Sequence, residues 1–391
     1  MRNPRSIACL FLASVAVLPA ACMEHGRFTG EAVDRAEQRL AHLKASTEVD
    51  LAEQSRLAGS LAKAAKQADR AARLNPDAPR AQLVVGRVAL ERDDIASARE
   101  AFARAIELEP GSAEARFYAG AVEERIGKRE AALRHYRKAA ELDPMDAQYA
   151  LAAAEVLLDL DRHGTAHETL ATSPAADGSA GIHQLLAQIE MMGGRTDSAI
   201  AHLREARLLA PEDDAVMEDL AAAHAAAGSF RRAAALLDVL LAHPDRGGRE
   251  DLRLLRARCR LVSGDPALAR QDYLALTASE TESTAYRAWV GLGKAAFVQQ
   301  DQSALRRAAS RAVSADQRGP EGYVLWALWH HRRGDLAAAV RSVRIGLEHC
   351  PGSPDLDRLG VALETERRGE GDALRMLAAI GSGEEAGGPL P

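Results

Sequence analysis

Along the chain, a small residue is repeatedly followed four places later by a larger apolar one: Ala98 and Phe102, Ala132 and Tyr136, Ala199 and Leu203, Ala269 and Tyr273. A spacing of four puts both on one face of an α-helix. These pairs keep phase with prolines. Pro76, Pro110 and Pro144 lie 34 residues apart, each closing a similar phrase (Ala-Ala-Arg-Leu-Asn-Pro, Ala-Ile-Glu-Leu-Glu-Pro, Ala-Ala-Glu-Leu-Asp-Pro). Pro211 closes a fourth version 67 residues on, and Cys350-Pro351 a much later one. Gly59, Gly127, Gly194, Gly228, Gly264 and Gly334 share a second phase, which Asp93, Asp161 and Gln300 fill in the intervening repeats. Gly and Asp tolerate turn conformations that larger residues resist, so this phase predicts the turn between two helices.

The resulting register is 45–78, 79–112, 113–146, 147–179, 180–213, 214–249, 250–285, 286–319 and 320–353, with a shorter tenth unit from 354 to about 380. Two units carry two extra residues, assigned to loops at Asp245–Gly248 and Ser279–Glu282. The unit 147–179 departs most, with Ser173 and Gly178 where a small residue and Pro are expected. Residues 31–44 read as an amphipathic opening helix, with Val33, Leu40 and Leu43 on one side. Residues 381–391, rich in Gly and Glu, are expected to be a disordered tail.

The pattern resembles the tetratricopeptide repeat family, in which Trp-x2-Leu-Gly-x2-Tyr is followed by Ala-x3-Phe, Ala and Pro. Trp289, Leu292 and Gly293 match the opening; Gly86, Ala98, Phe102, Ala105 and Pro110 match one unit; Gly120, Gly127, Ala132, Tyr136, Ala139 and Pro144 match the next. The resemblance implies an all-α solenoid of about nine to ten helix-turn-helix repeats over 31–380, wound as a right-handed superhelix. It also implies a partner-binding groove lined by the first helix of each unit. On this register the groove takes in Arg80, Leu83, Arg87, Phe117, Gln184, Gln188, Met191, Arg258, Lys294 and Phe297. The groove positions where some relatives grip a peptide carboxylate with Lys and Asn hold Leu83, Arg87, Phe117 and Ala121 instead, which disfavours that mode.

Composition fits this picture. Hydrophobic residues make up 47% of the 391 and aromatics 4%, with Ala dominant, which suits helices in close approach. The net charge of −6 shows no basic surplus, so nucleic acid is not an expected partner. Arg2 and Arg5, the apolar run Ile7–Leu18 and the small residues before Cys22 read as a signal peptide over 1–21. Cys22 resembles the lipid-modified Cys of bacterial lipoproteins, although Pro19 and not Leu stands three residues before it. Residues 22–30 would then be a tether. That resemblance implies export and a lipid anchor at the outer membrane, facing the periplasm, with a soluble periplasmic or secreted protein as the alternative.

Sites for chemistry are poorly supported. Gly291-Leu292-Gly293-Lys294 lacks the earlier Gly and the following Ser or Thr of a phosphate loop. His163 and His167 share a helix face without a Glu-x-x-His companion, and Cys259 and Cys350 lack metal-ligand spacing. No catalytic residue, metal or cofactor is expected. The aromatic stretch Tyr286, Trp289, Phe297, Tyr323, Trp326 and Trp329 reads first as packing. These observations favour a non-catalytic scaffold that binds envelope proteins or peptides. A glycan- or polymer-binding protein, or an enzyme with a site between repeats, are the alternatives.

Overall fold

A computed structural model describes residues 18–243 and 245–369, with only the backbone given for 18–29. Among the described residues there are nineteen α-helices, one short 3₁₀ turn and no strand. The expected disordered tail, the end of the tenth unit and most of the signal segment lie outside them, as does the side chain of Cys22.

The helices alternate as pairs: α1 (Leu18–Leu57) with α2 (Leu61–Leu74), α3 (Pro79–Glu91) with α4 (Ile95–Leu108), α5 (Ala113–Arg125) with α6 (Arg129–Leu142), and α7 (Ala147–Asp159) with α8 (His163–Ala171). There follow α9 (Ala180–Met192) with α10 (Thr196–Leu209), α11 (Asp214–Ala226) with α12 (Phe230–Ala242), and α13 (Glu250–Val262) with α14 (Pro266–Leu276). Then come α15 (Glu282–Val298) with α16 (Gln302–Ala315), α17 (Pro320–Arg332) with α18 (Leu336–His349), and α19 (Pro354–Arg367). Within each unit consecutive helices pack on one another, the all-α repeat architecture the sequence led us to expect. The chain divides into two compact units, 1–177 and 178–391. The division falls in the 3₁₀ turn Ala176–Gly178. That turn closes the repeat whose second helix, α8, has only 9 residues.

The turns explain the repeat phase. Every non-Gly residue with positive φ among the described residues sits there: Asp93 at 62°, Asp161 at 58° and Gln300 at 60°. Gly59, Gly127, Gly194, Gly228, Gly264 and Gly334 hold the same left-handed conformation in the other repeats. A carbonyl from the end of the first helix then accepts from the residue after the turn, as Ala89 does from Asp94 and Glu123 from Lys128. Several second helices start on a side-chain cap, for example Asp94 on Ser97 and Asp335 on Ala338.

The small-then-large pairs form the core. Ala98, Phe102, Ala132, Tyr136, Ala199, Leu203, Ala269 and Tyr273 are all buried. Glycine allows the rings in. A Cβ on Gly86 would stand 2.5 Å from the Phe102 ring, and one on Gly120 would stand 2.7 Å from that of Tyr136.

Two boundaries differ from expectation. The opening helix 31–44 does not stand apart: α1 runs unbroken from Leu18 to Leu57, through the segment expected to be a tether and into the first pair. Nothing in 30–57 is Pro or Gly after Gly30, so no residue there stops a helix. The extra residues near 279–282 do not all lie in a loop. Glu282 opens α15, which gains a turn at its start and reaches 17 residues. The loop is closed by Ser279, whose hydroxyl accepts from the Thr281 N–H and donates to Glu250. Cys259 and Cys350 are free thiols.

Candidate functional site: the first-helix face

Within each unit, first helices of successive pairs approach one another more closely than second helices do: α1 with α3, α3 with α5, α13 with α15, α15 with α17. The tighter side of a stack is its inner side, so the first helices line the inner face.

On that face, three expected residues converge. Arg80, Leu83 and Arg87 line one cavity of about 460 Å³ between α1, α3, α4 and α5, together with Glu53, Glu109 and Glu114. Arg80 is exposed and pairs with Asp50 at 2.8 Å. Leu83 is buried and forms the cavity wall. Arg87 is held on both sides, with its Nη1 3.1 Å from Glu53 and 3.1 Å from Glu114. Its guanidinium lies 5.2 Å from the centre of the Tyr118 ring. Burial pushes the Tyr118 hydroxyl above the ordinary phenol range, and Arg87 opposes that rise. Arg56 binds Glu53 at 2.9 Å and Glu91 at 2.5 Å, completing a network of alternating charge.

Phe117 is half-buried in a ring cluster, 5.4 Å from Tyr136 and 5.5 Å from Tyr149. Tyr136 donates to Glu124 at 2.6 Å, which fixes the cluster. Burial and this carboxylate raise the Tyr136 hydroxyl far above its ordinary range.

The expected residues of the second unit lie on three helices, α9, α13 and α15. Gln184 donates to Asp219 at 2.7 Å, Gln188 is exposed, and Met191 is half-buried against the α9–α11 core. Arg258 and Lys294 are half-buried and each is engaged with a neighbour. Phe297 is buried, with the Arg332 guanidinium 4.0 Å from its ring centre. The aromatic stretch 286–329 belongs mostly to one core cluster: Tyr286 and Tyr323 are buried, while Trp289, Trp326 and Trp329 pack against it.

Sequence reasoning missed the carboxylates Glu53 and Glu114 and the covering Arg332. A signal for two of them was present. Glu53 and Arg87 are 34 residues apart and occupy equivalent positions on neighbouring first helices, while Phe297 and Arg332 are 35 apart, one place beyond equivalence. Tyr286 with Glu321 and His331 with Glu366 repeat the arrangement at a separation of 35.

Against this geometry, the tetratricopeptide repeat family profile matches residues 58–113, 86–128 and 185–248. These segments are tetratricopeptide repeats. No curated relative matches the chain. Among solved structures, a tetratricopeptide repeat protein from Parabacteroides merdae is 15% identical, covering 63% of this chain and 98% of its own, with a TM-score of 0.43. A structure titled as pilF of Pseudomonas aeruginosa is 20% identical, covering 51% of this chain and 90% of its own, with a TM-score of 0.43. YrrB, titled as a TPR protein with an unusual peptide-binding site, is 17% identical, covering 48% of this chain and 95% of its own, with a TM-score of 0.36. Tetratricopeptide repeats generally mediate interactions between proteins, through the extended surfaces that stacking creates.

Proposed function

We propose that this chain is a non-catalytic scaffold of the bacterial cell envelope that binds partner proteins or peptides on the inner face of its first helices. The observation that carries the reading is the cavity at Arg80, Leu83 and Arg87, where an apolar wall meets cations and carboxylates. Such a mixture supplies buried area together with charge-based selection. Gln188 and Met192 add exposed amide and thioether groups on α9, of which the flexible thioether adapts to varied partners.

The test is capture of crosslinked partners from envelopes by the wild type and by Arg80→Glu with Gln188→Arg. Both positions are exposed, so stability should shift by no more than about 0.5 kcal/mol. Partner recovery should fall severalfold. Arg137→Glu, on the exposed side of the second helix α6, should leave recovery unchanged. Equal loss in both variants would contradict the assignment of the face.

Location is part of the same proposal. The signal-like start and Cys22 support an exported protein anchored through acyl chains. Two or three acyl chains hold a protein stably where one does not. Cys22→Ala should convert a detergent-extracted protein into one released with the soluble envelope fraction. A wild type that needs no detergent would leave export without an anchor.

A further inference from the structure

We propose that the free face of α1 is a self-association surface, on which a second copy of this chain lays its own α1 antiparallel.

The observation begins where α2 runs out. Asn75, just past the end of α2, bonds His42 at 3.0 Å. N-terminal to that contact, residues 30–40 of α1 are exposed on every side. A helix of this length without a packing partner is marginal in water. Further along, Ala45, Val49 and Ala52 face the protein's own core and are buried.

Opposite that buried face, roughly 150° around the helix, runs a second apolar line. It consists of Val33, Ala36, Leu40 and Leu43, spaced three and four apart, and ends at the polar Thr47. This is the heptad spacing of two paired helices. Val33 is 54% exposed, Leu40 51% and Leu43 64%. Nothing in this chain covers them among the described residues.

The flanking charges choose the occupant and its direction. With Val33 at the first heptad position, Glu37 and Lys44 take the same flank and Arg39 the other. None of the three is ion-paired among the described residues. A parallel second copy would set Arg39 against Lys44, like against like, on both sides of the pair. An antiparallel copy packs Leu40 on Leu43 and sets Glu37 against Lys44 of the second copy. The two-fold axis makes that attraction twice, and the arrangement closes at two chains.

Sedimentation equilibrium across a dilution series tests this on the full chain with Cys22→Ala, which removes any acyl group. The expected result is a dimer that dissociates on dilution. Leu40→Asp with Leu43→Asp should be monomeric throughout, with its helical circular dichroism and melting temperature retained because both side chains face solvent in the single chain. Glu37→Lys should weaken association about tenfold, and Glu37→Lys with Lys44→Glu should restore it. A wild type that stays monomeric would overturn the proposal. So would a dimer indifferent to Leu40→Asp, or one tightened by Lys44→Glu alone, which is the parallel outcome. A monomer that instead binds phosphatidylglycerol vesicles through Leu40 and Leu43 would assign the stripe to a membrane surface and equally overturn pairing.

Discussion

At the scale of the residue, the fold depends on places where a side chain must be missing. Gly120 lies against Tyr136, whose ring is buried and whose hydroxyl is held by Glu124. The ring therefore cannot swing aside for an added methyl group. Gly120→Ala should destabilise its unit by about 1–3 kcal/mol, the usual cost of overpacking. Gly111→Ala, where a Cβ meets nothing within 4 Å, should change the thermal midpoint little. A melting curve of each variant checks the contrast. Titration offers a second residue-level test. His224 is buried on α11, and desolvation, aided by Arg204 and Arg232, lowers its pKa below the imidazole value of 6.5. As pH falls through the ordinary imidazole range, the unfolded chain takes up a proton that the folded chain refuses. Stability should therefore be full above that range and decline below it. The urea midpoint should drop between about pH 7.5 and about pH 5, and His224→Leu should flatten the decline. His135 and His330 are shifted in the same direction by burial and should account for part of the remaining slope.

At the scale of the element, the turn decides the repeat. Gln300 holds φ at 60° with a long side chain, where glycine serves at Gly264 and Gly334. The left-handed conformation costs a residue with a Cβ roughly 1–2 kcal/mol. Gln300→Gly should stabilise its unit by up to about 1 kcal/mol and raise its unfolding midpoint, after glycine's greater freedom in the unfolded chain is subtracted. Denaturant unfolding measures it, and a lowered midpoint would contradict the account. This is also why so much of the fold was legible in the sequence. Prolines and turn residues are local signals, and Pro79, Ala113, Ala147, Ala180, Asp214, Glu250, Pro320 and Pro354 each open a first helix where the register expected one. What was not legible was where insertions go. Glu282 could serve as loop or as the first turn of α15, and only its packing decides. Likewise α1 absorbs the opening segment because no breaker separates them.

At the scale of the whole molecule, the first-helix face is built by neighbours one repeat apart. Arg56 with Glu91, Glu53 with Arg87 and Gln184 with Asp219 each join adjacent first helices. That ladder neutralises much of the charge that the sequence presented as free. It explains why the expected site divided in the structure. Arg80 and Gln188 stay exposed, Arg87 is locked between two carboxylates, and Leu83 and Phe297 are buried. The helical period identified the face, but the depth of each side chain depends on a residue some 35 places away. Under the proposed function this face, and not the outer second helices, holds partners. A photoreactive amino acid placed at Gln188 on α9, or at Arg207 on α10, tests it most directly in living cells. Both positions are exposed, and they lie on opposite helices of one pair. Discrete crosslinked products are expected from position 188 and none from position 207. Products from position 207 alone would contradict it.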